Sequence, residues 1–144
     1  MTSLTLVRRV RARPSIVFEA MTTAEGITQW WGPDPELAYF VESDPRPGGR
    51  FRVRFRTRDG DEHETSGEYL EIIPLARIVM SWRWTGGRED PGESRVEIAL
   101  RTIPEGTEIT FTHALLHDED SRRSHEDGWT RAFEKLDAYL AQRV

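Results

Sequence analysis

Two titratable side chains, Glu71 and His113, are the candidates for acid–base chemistry in this chain. Glu71 lies two residues after Tyr69 in a stretch with strand periodicity, so both side chains would share the inner face of a sheet. A carboxyl group buried there would have a raised pKa and could act as a general acid. A β-bulge would instead turn Glu71 outward and Leu70 inward. His113 ends a predicted strand, where the alternative to a catalytic histidine is a hydrogen-bonded core residue.

The spacing of the residues gives little support for a metal site or for a catalytic nucleophile. His113, His117 and His125 raise the question of a metal site, but His113 ends a strand and His117 follows in a loop, so they do not form a helical ligand pair. The chain has no cysteine and no Gly-x-Ser-x-Gly motif. Pro47-Gly48-Gly49 lacks the lysine of a phosphate loop, and we interpret it as a tight turn before a strand. We expect no metal and no cofactor.

The overall composition limits the classes of partner. The 144 residues include 20 basic and 25 acidic side chains, a net charge of −5. This balance argues against duplex binding, because affinity for nucleic acid comes mostly from neutralising phosphates. No apolar run approaches the about 18 residues that a membrane helix needs. We expect one domain over residues 1–144, located in the cytoplasm, with no nucleic-acid partner and no membrane span.

The period of the apolar residues predicts an α+β chain. Residues 4–11 read as a first strand, and Pro14 begins a short helix. Thr22-x-x-Glu25 has the form of a capping box, which predicts a second short helix that ends by Gly32-Pro33. Residues 37–111 follow a period of two and are interrupted by turn signals, including Gly86 to Gly92, which predicts six further strands. After these strands the apolar residues return to helical spacing, which predicts a long closing helix.

One predicted strand, residues 50–58, alternates arginine with apolar residues or threonine, so one of its faces is wholly basic. A two-residue turn at Asp59-Gly60 would place Phe55 opposite Glu64, whereas a three-residue loop would place carboxylates opposite the arginines. We expect the three-residue loop and a solvated ladder of charges rather than an anion site. The pairs predicted by that loop are Arg58 with Glu62, Arg56 with Glu64, Arg52 with Glu68 and Phe51 with Tyr69.

The opposite face of the predicted sheet is rich in aromatic residues. Buried tryptophan and tyrosine need partners for their polar atoms, which is easier to arrange beside a cavity that admits water or a ligand. We therefore expect a cavity between the sheet and the last helix; a solid core closed by Trp129 and Phe133 is the alternative. The residues expected to line the cavity are Trp30, Trp31, Phe51, Phe55, Tyr69, Met80, Trp82, Trp84, Phe111, His113, Trp129 and Phe133.

A glycine lies inside the predicted last helix, next to Trp129. Glycine within a helix costs about 1 kcal/mol relative to alanine. A close approach of the helix to the sheet is a reasonable cause, and we expect Gly128 to permit it.

Several short motifs, in this order, resemble the START-like (SRPBCC, Bet v 1-like) superfamily and, within it, the activator of 90-kDa heat-shock-protein ATPase homologue (AHSA-type) family. The motifs are Arg13-Pro14-x-x-Val17-Phe18-x-Ala20, Trp30-Trp31, Asp44-x-Arg46-Pro47-Gly48-Gly49-x-Phe51, Gly67-x-Tyr69-x-Glu71-Ile72, Trp82-x-Trp84, Gly106-Thr107 and His125-x-x-Gly128-Trp129. The resemblance implies a helix-grip fold: a curved sheet of seven antiparallel strands wrapped around a long C-terminal helix, with two short helices between the first two strands.

The superfamily contains lipid carriers, hormone binders, cyclases and hydroxylase components, so the fold alone does not fix a function. The Rieske cysteines of the hydroxylases are absent from this chain. Our leading expectation is a protein that binds a hydrophobic or aromatic small molecule, anchored by Tyr69, Glu71 or His113. A cyclase or isomerase that uses Glu71 or His113 is one alternative, and an interaction module that resembles a co-chaperone is another. Because the chain consists of one domain only, chaperone binding is in doubt. We expect a homodimer, because dimers are the commonest assemblies of soluble proteins.

Overall fold

A seven-stranded antiparallel sheet forms the body of the computed structural model, which describes residues 2–85 and 92–143. Its strand order is β1-β7-β6-β5-β4-β3-β2. The strands are β1 (Thr2–Val10), β2 (Phe40–Ser43), β3 (Arg50–Arg56), β4 (Glu62–Ile73), β5 (Arg77–Thr85), β6 (Ser94–Ile103) and β7 (Gly106–Leu116). The helices are α1 (Pro14–Thr22), α2 (Ala24–Thr28) and α3 (Glu119–Ala141). The predicted order of elements is confirmed. The predicted turn at Gly86 to Gly92 lies outside the described residues, except for Gly92.

The two short helices connect β1 to β2, and their boundary differs from the predicted one. Pro14 occupies the first turn of α1, where its missing N–H costs nothing. The residue that caps α2 is Thr23, whose side chain accepts a hydrogen bond from the Gly26 amide at 3.0 Å. Thr22 belongs to the last turn of α1 and donates its hydroxyl to the Phe18 carbonyl at 2.7 Å. The helix cap is therefore one residue later than predicted, and the capping box itself is absent, because Gly26 stands where its glutamate would be.

The turn before β3 confirms the interpretation of the glycine pair. Gly48 has φ +87°, a conformation that favours glycine. Its amide donates to the Tyr69 carbonyl at 2.8 Å, and the Tyr69 amide donates to the Gly49 carbonyl at 2.8 Å. The turn thus places β3 beside β4.

The arginine strand forms the predicted ladder of charges, but in a different register. Arg56 lies opposite Glu62 and Arg54 opposite Glu64, with N–O distances of 3.0 and 2.7 Å. The connecting loop spans residues 57–61 and closes through the Thr57 amide and the Asp61 carbonyl. Both loops considered from the sequence were too short. The three-residue choice was wrong by two positions, and a shift of two leaves every side chain on its predicted face.

Helix α3 packs against the inner face of the sheet and supplies much of the core. Asp118 caps it by accepting a hydrogen bond from the Ser121 amide at 2.7 Å. Its apolar face follows the predicted spacing and consists of Trp129, Ala132, Phe133, Leu136 and Leu140, all of them buried. None of the described helices combines the length and the hydropathy needed to cross a bilayer.

Candidate functional site

A cavity of about 690 Å³ lies at one end of the inner face, between the first half of α3 and the hairpin that joins β3 to β4. The segment after α2 forms its third wall, and β5 contributes to its floor. The described residues that line it are Trp31, Gly32, Pro33, Phe55, Thr57, Asp61, Glu62, His63, Trp82, Trp84, Ser124, His125, Gly128, Trp129 and Ala132.

Five of the residues expected at a cavity form its aromatic part: Trp31, Phe55, Trp82, Trp84 and Trp129. The others belong to the buried core and are not among its lining residues: Trp30, Phe51, Tyr69, Met80, Phe111, His113 and Phe133. Both alternatives from the sequence are therefore present in one molecule. The second half of α3 fills one end of the inner face, where Phe133 packs on Phe111 with ring centroids 5.2 Å apart. The first half leaves the other end open.

Several lining residues were missed, although the sequence carried a signal for some of them. His63 has the same strand parity as Tyr69 and therefore faces inward. His125 and Ala132 lie four residues before and three residues after Trp129, on the same face of α3. Asp61 and Glu62 line the cavity because the hairpin loop is longer than expected.

The aromatic rings pack edge to face and hold one another in place. The rings of Trp82 and Trp84 are 4.8 Å apart at 88°, and those of Trp31 and Trp129 are 5.3 Å apart at 81°. His63 stacks on Phe55 at 5.4 Å. Such contacts are favourable beyond the area they bury, so the floor of the cavity is formed before any ligand arrives.

A chain of hydrogen bonds behind this floor fixes the protonation of His113. The indole nitrogen of Trp129 can only donate, and it lies 3.0 Å from His113 Nδ1, so Nδ1 carries no proton. The proton is then on Nε2, which donates to Ser94 Oγ at 2.7 Å, and the Ser94 hydroxyl donates to the Trp82 carbonyl at 3.1 Å. His113 is fully buried, and burial lowers its pKa to about 3, with a smaller contribution from His125. His113 is thus a neutral core residue with both nitrogens occupied.

A second tryptophan–histidine pair lies at the cavity wall itself. The indole N–H of Trp84 donates to His125 Nε2 at 3.0 Å. His125 Nδ1 therefore carries the proton and donates to the Ser121 carbonyl at 2.7 Å. Burial lowers the pKa of His125, partly offset by the bond to Ser121. The rings of His113 and His125 are 4.9 Å apart, and both are held neutral by the bonds that they accept.

Glu71 lies on the outside of the sheet. The pairing of β4 with β5 slips between Tyr69 and Glu71, as a β-bulge does. The side chain of Glu71 is 48% exposed and forms an ion pair with Arg77 at 2.6 Å. Of the two orientations considered, the bulge is present, but Leu70 does not turn inward: it is 49% exposed. Glu71 therefore does not reach the cavity.

The predicted polar anchors are all outside the cavity wall. The Tyr69 hydroxyl hydrogen-bonds to Ser43 Oγ at 2.7 Å, and burial raises its pKa to about 12. The groups that replace Tyr69, Glu71 and His113 at the cavity are the polar side chains of Thr57, Asp61, Glu62, His63, Ser124 and His125. Within residues 2–85 and 92–143, no three histidine, aspartate or glutamate side chains converge as a metal site.

The wall formed by Gly32 and Pro33 is anchored by Lys135, the single lysine of the chain. Its ammonium group donates to the carbonyls of Asp34 at 2.7 Å, Glu36 at 3.2 Å and Trp31 at 3.3 Å. The carboxylate of Asp34 accepts a hydrogen bond from the amide of Arg58 in the hairpin loop. This segment is thereby tied to both α3 and the β3–β4 hairpin loop, which sets the width of the cavity.

Gly128 does not serve the purpose expected from the sequence. A Cβ built at this position would meet only Pro33 Cβ, at 3.9 Å, which is ordinary van der Waals contact. The approach of α3 to the sheet therefore does not require glycine here. Gly128 lines the cavity opposite Pro33, so a larger side chain at this position would occupy the cavity.

Comparison with known proteins agrees with this architecture. Residues 11–141 match the family described as Activator of Hsp90 ATPase homolog 1-like protein. A crystal structure of a protein from Chromobacterium violaceum is similar with a TM-score of 0.87 at 24% identity, and the alignment covers 96% of each chain. None of the curated proteins compared with the chain matches it.

Two further solved structures show the same fold. The AHSA1 protein of Silicibacter pomeroyi has a TM-score of 0.85 at 24% identity, over 99% of this chain and 100% of that one. A protein from Rhizobium leguminosarum has a TM-score of 0.83 at 26% identity, over 98% of this chain and 95% of that one. With a family match over most of its length and its helix-grip fold, the chain belongs to the AHSA1-type family of the START-like proteins.

Proposed function

We propose that this protein binds an apolar or aromatic small molecule in the cavity between the sheet and the first half of α3. The observation that carries the proposal is the cavity itself. Its volume of about 690 Å³ lies within the range of about 300–1,000 Å³ typical of ligand sites, and five of its lining residues are large aromatics.

The cavity is preformed, which favours binding. The indole groups of Trp84 and Trp129 are held by hydrogen bonds to neutral histidines, and both histidines have a second partner. Binding therefore requires little ordering of side chains, and the loss of conformational entropy on binding is small.

A binding role fits the site better than acid–base catalysis by Glu71 or His113. Glu71 is on the outer face of the sheet and paired with Arg77. His113 is fully buried behind the floor, and both of its nitrogens are engaged. Neither group reaches a ligand in the cavity, whereas binding needs only the aromatic floor and its polar rim.

The test uses Gly128, because this residue lines the cavity and a Cβ added to it would meet only Pro33. The probe is N-phenyl-1-naphthylamine, an uncharged dye whose fluorescence rises in apolar surroundings. Gly128→Leu is expected to weaken binding of the dye at least about tenfold, since the leucine occupies space opposite Pro33. Gly128→Ala is expected to bind the dye within about twofold of the wild type.

Glu134→Leu is the matched control for leucine, because Glu134 lies on the exposed side of α3. It should leave dye binding unchanged. Equal dye binding by the wild type and both leucine variants, all folded, would show that the dye binds elsewhere and would contradict the proposed site.

A further inference from the structure

The polar side chains that line the cavity differ in whether they still have a hydrogen-bonding atom to offer a ligand. His125 has both ring nitrogens engaged, one with the Trp84 indole and the other with the Ser121 carbonyl. Glu62 is paired with Arg56 at 3.0 Å. A ligand is met at lower cost by a side chain with an unused atom, because no existing bond has to break.

His63, which lines the cavity from β4, has such an atom. Its ring stacks on Phe55 with centroids 5.4 Å apart, and its Nε2 lies 3.2 Å from Thr57 Oγ1. In the described part of the chain Nδ1 has no hydrogen-bond partner, and it is not among the buried atoms that lack one, which are Thr65 Oγ1 and Trp82 Nε1. Nδ1 is therefore accessible, on a side chain that faces the cavity.

Thr57 determines which ring nitrogen of His63 carries the proton. The Thr57 hydroxyl donates to the Asp59 carboxylate, with the Asp61 carbonyl as a second acceptor at 3.3 Å. Neither acceptor has a proton to supply, because the bonds from Thr57 and from the Asp61 amide lower the pKa of the Asp59 carboxyl group and keep it ionised. The Thr57 oxygen must then accept from His63, so Nε2 carries the proton and Nδ1 has a free lone pair.

On the basis of the proposed function, we propose that His63 anchors the ligand by accepting a hydrogen bond at Nδ1, so that the cavity selects a mainly apolar molecule with a hydroxyl or N–H group, such as an aromatic alcohol. The stack on Phe55 and the bond to Thr57 hold the ring, so the acceptor is in place before the ligand arrives. An ether oxygen has no hydrogen to donate and gains nothing from this nitrogen.

The test compares three naphthalene probes that differ in one group. 2-Naphthalenemethanol has a hydroxyl, 2-(methoxymethyl)naphthalene has an oxygen that cannot donate, and 2-ethylnaphthalene has no oxygen. Each is measured by displacement of N-phenyl-1-naphthylamine at about pH 8, where histidine side chains are normally neutral. The affinities of the alcohol and the ether are expressed as ratios to that of 2-ethylnaphthalene, which removes the apolar contribution that all three probes share.

His63→Phe removes the acceptor and keeps an aromatic ring to stack on Phe55. In this variant the ratio for the alcohol is expected to fall about three- to tenfold, the net contribution of one hydrogen bond, whereas the ratio for the ether should not change. His117→Phe is the matched control, because His117 is half exposed and is not among the residues that line the cavity. It should leave both ratios unchanged.

A second measurement needs no variant. A two-bond proton–nitrogen NMR spectrum of the wild type distinguishes the two ring nitrogens of His63. We expect the proton on Nε2 in the free protein, and an upfield shift of the Nδ1 signal when 2-naphthalenemethanol is added but not when 2-ethylnaphthalene is added. A proton on Nδ1 in the free protein would overturn the proposal, because that nitrogen could not then accept.

The outcomes separate this proposal from the proposed function. An unchanged ratio for the alcohol in His63→Phe, with dye binding intact, would overturn the anchor and leave the cavity as a binding site. An equal fall for the ether, or an equal effect of His117→Phe, would likewise overturn it, because neither depends on donation to His63. Failure of the dye and of all three probes to bind the wild type would overturn the proposed function, and the anchor with it.

Discussion

The indole N–H of Trp129 donates to Nδ1 of His113 at 3.0 Å, and this bond determines what His113 can do. Because an indole nitrogen cannot accept a proton, the histidine must present a bare nitrogen to it. The pair joins α3 to β7 behind the cavity floor. His113, which the sequence suggested as a catalytic residue, therefore stabilises the packing of α3 against the sheet behind the cavity.

Replacing His113 should destabilise the protein. In His113→Leu the Trp129 N–H loses its acceptor in a buried position, which costs about 1–3 kcal/mol of unfolding free energy. Urea denaturation at pH 7 measures the change. His117→Leu is the control, because that side chain is half exposed, and its effect should stay within about 0.5 kcal/mol. Equal effects of the two substitutions would contradict the assignment.

Stability should decrease as the pH falls from about 6.5. The pKa of folded His113 is lowered to about 3 from an ordinary value of 6.5, and that of His125 is also lowered. Between the folded and unfolded pKa values the unfolded chain binds more protons, so acid favours unfolding by up to about 1.4 kcal/mol per pH unit for each such histidine. Above pH 6.5 the two histidines contribute nothing to the pH dependence of the unfolding free energy.

Urea titrations at pH 7, 6 and 5 keep the contribution of the carboxylates small, because the ordinary pKa values of aspartate and glutamate are about 3.9 and 4.3. His113→Leu should show a shallower loss of stability with pH than the wild type. A wild-type stability that stays flat from pH 7 to pH 5 would disprove the buried neutral state of both histidines.

Glu71 should contribute little to the stability of the protein and nothing to dye binding. Its ion pair with Arg77 is at the surface, where such pairs contribute about 0–1 kcal/mol. Glu71→Gln is expected to change the unfolding free energy by less than about 1 kcal/mol and to leave dye binding unchanged. A large loss of binding, measured by fluorescence titration, would restore Glu71 as a functional residue.

Gly128→Ala should stabilise the protein by about 0.5–1 kcal/mol, since alanine is the better helix former and its Cβ meets only Pro33 at 3.9 Å. Thermal unfolding measures this gain. A loss of stability would show that the helix needs glycine at this position, as we expected from the sequence.

Lys135→Met should loosen the segment after α2, because three carbonyls lose their ammonium donor. We expect the unfolding free energy to fall by about 1–2 kcal/mol and dye binding to weaken. The value is kept low because the lysine is partly exposed. Hydrogen exchange should quicken in residues 31–36 and stay unchanged in β7. Uniform exchange across the protein would contradict the local anchoring.

The fold was predictable because its periodicities are long and its turn residues are characteristic. The register of the β3–β4 hairpin was not predictable. The predicted three-residue loop and the observed five-residue loop leave the arginines of β3 on the same face and change only their partners on β4. The bulge at Glu71 likewise leaves no mark in the residue pattern.

The position of the cavity was predictable only in part. The sequence identified the aromatic inner face, but not which end α3 would fill. That outcome depends on the tertiary packing of Phe133 and Leu136 at one end, and on the small residues Ser124, Gly128 and Ala132 at the other. Strand parity and helix spacing would have added His63 and His125 had they been applied to those positions.

The most direct test of the central claim follows the indole N–H signals of the five tryptophans by NMR while N-phenyl-1-naphthylamine is added. Trp31, Trp82, Trp84 and Trp129 line the cavity, whereas Trp30 is buried in the core with its N–H on the Ala20 carbonyl at 2.9 Å. Binding in the cavity predicts clear shifts for the lining tryptophans and the smallest shift for Trp30. Unmoved signals at saturating dye, or a shift confined to Trp30, would contradict the proposed site.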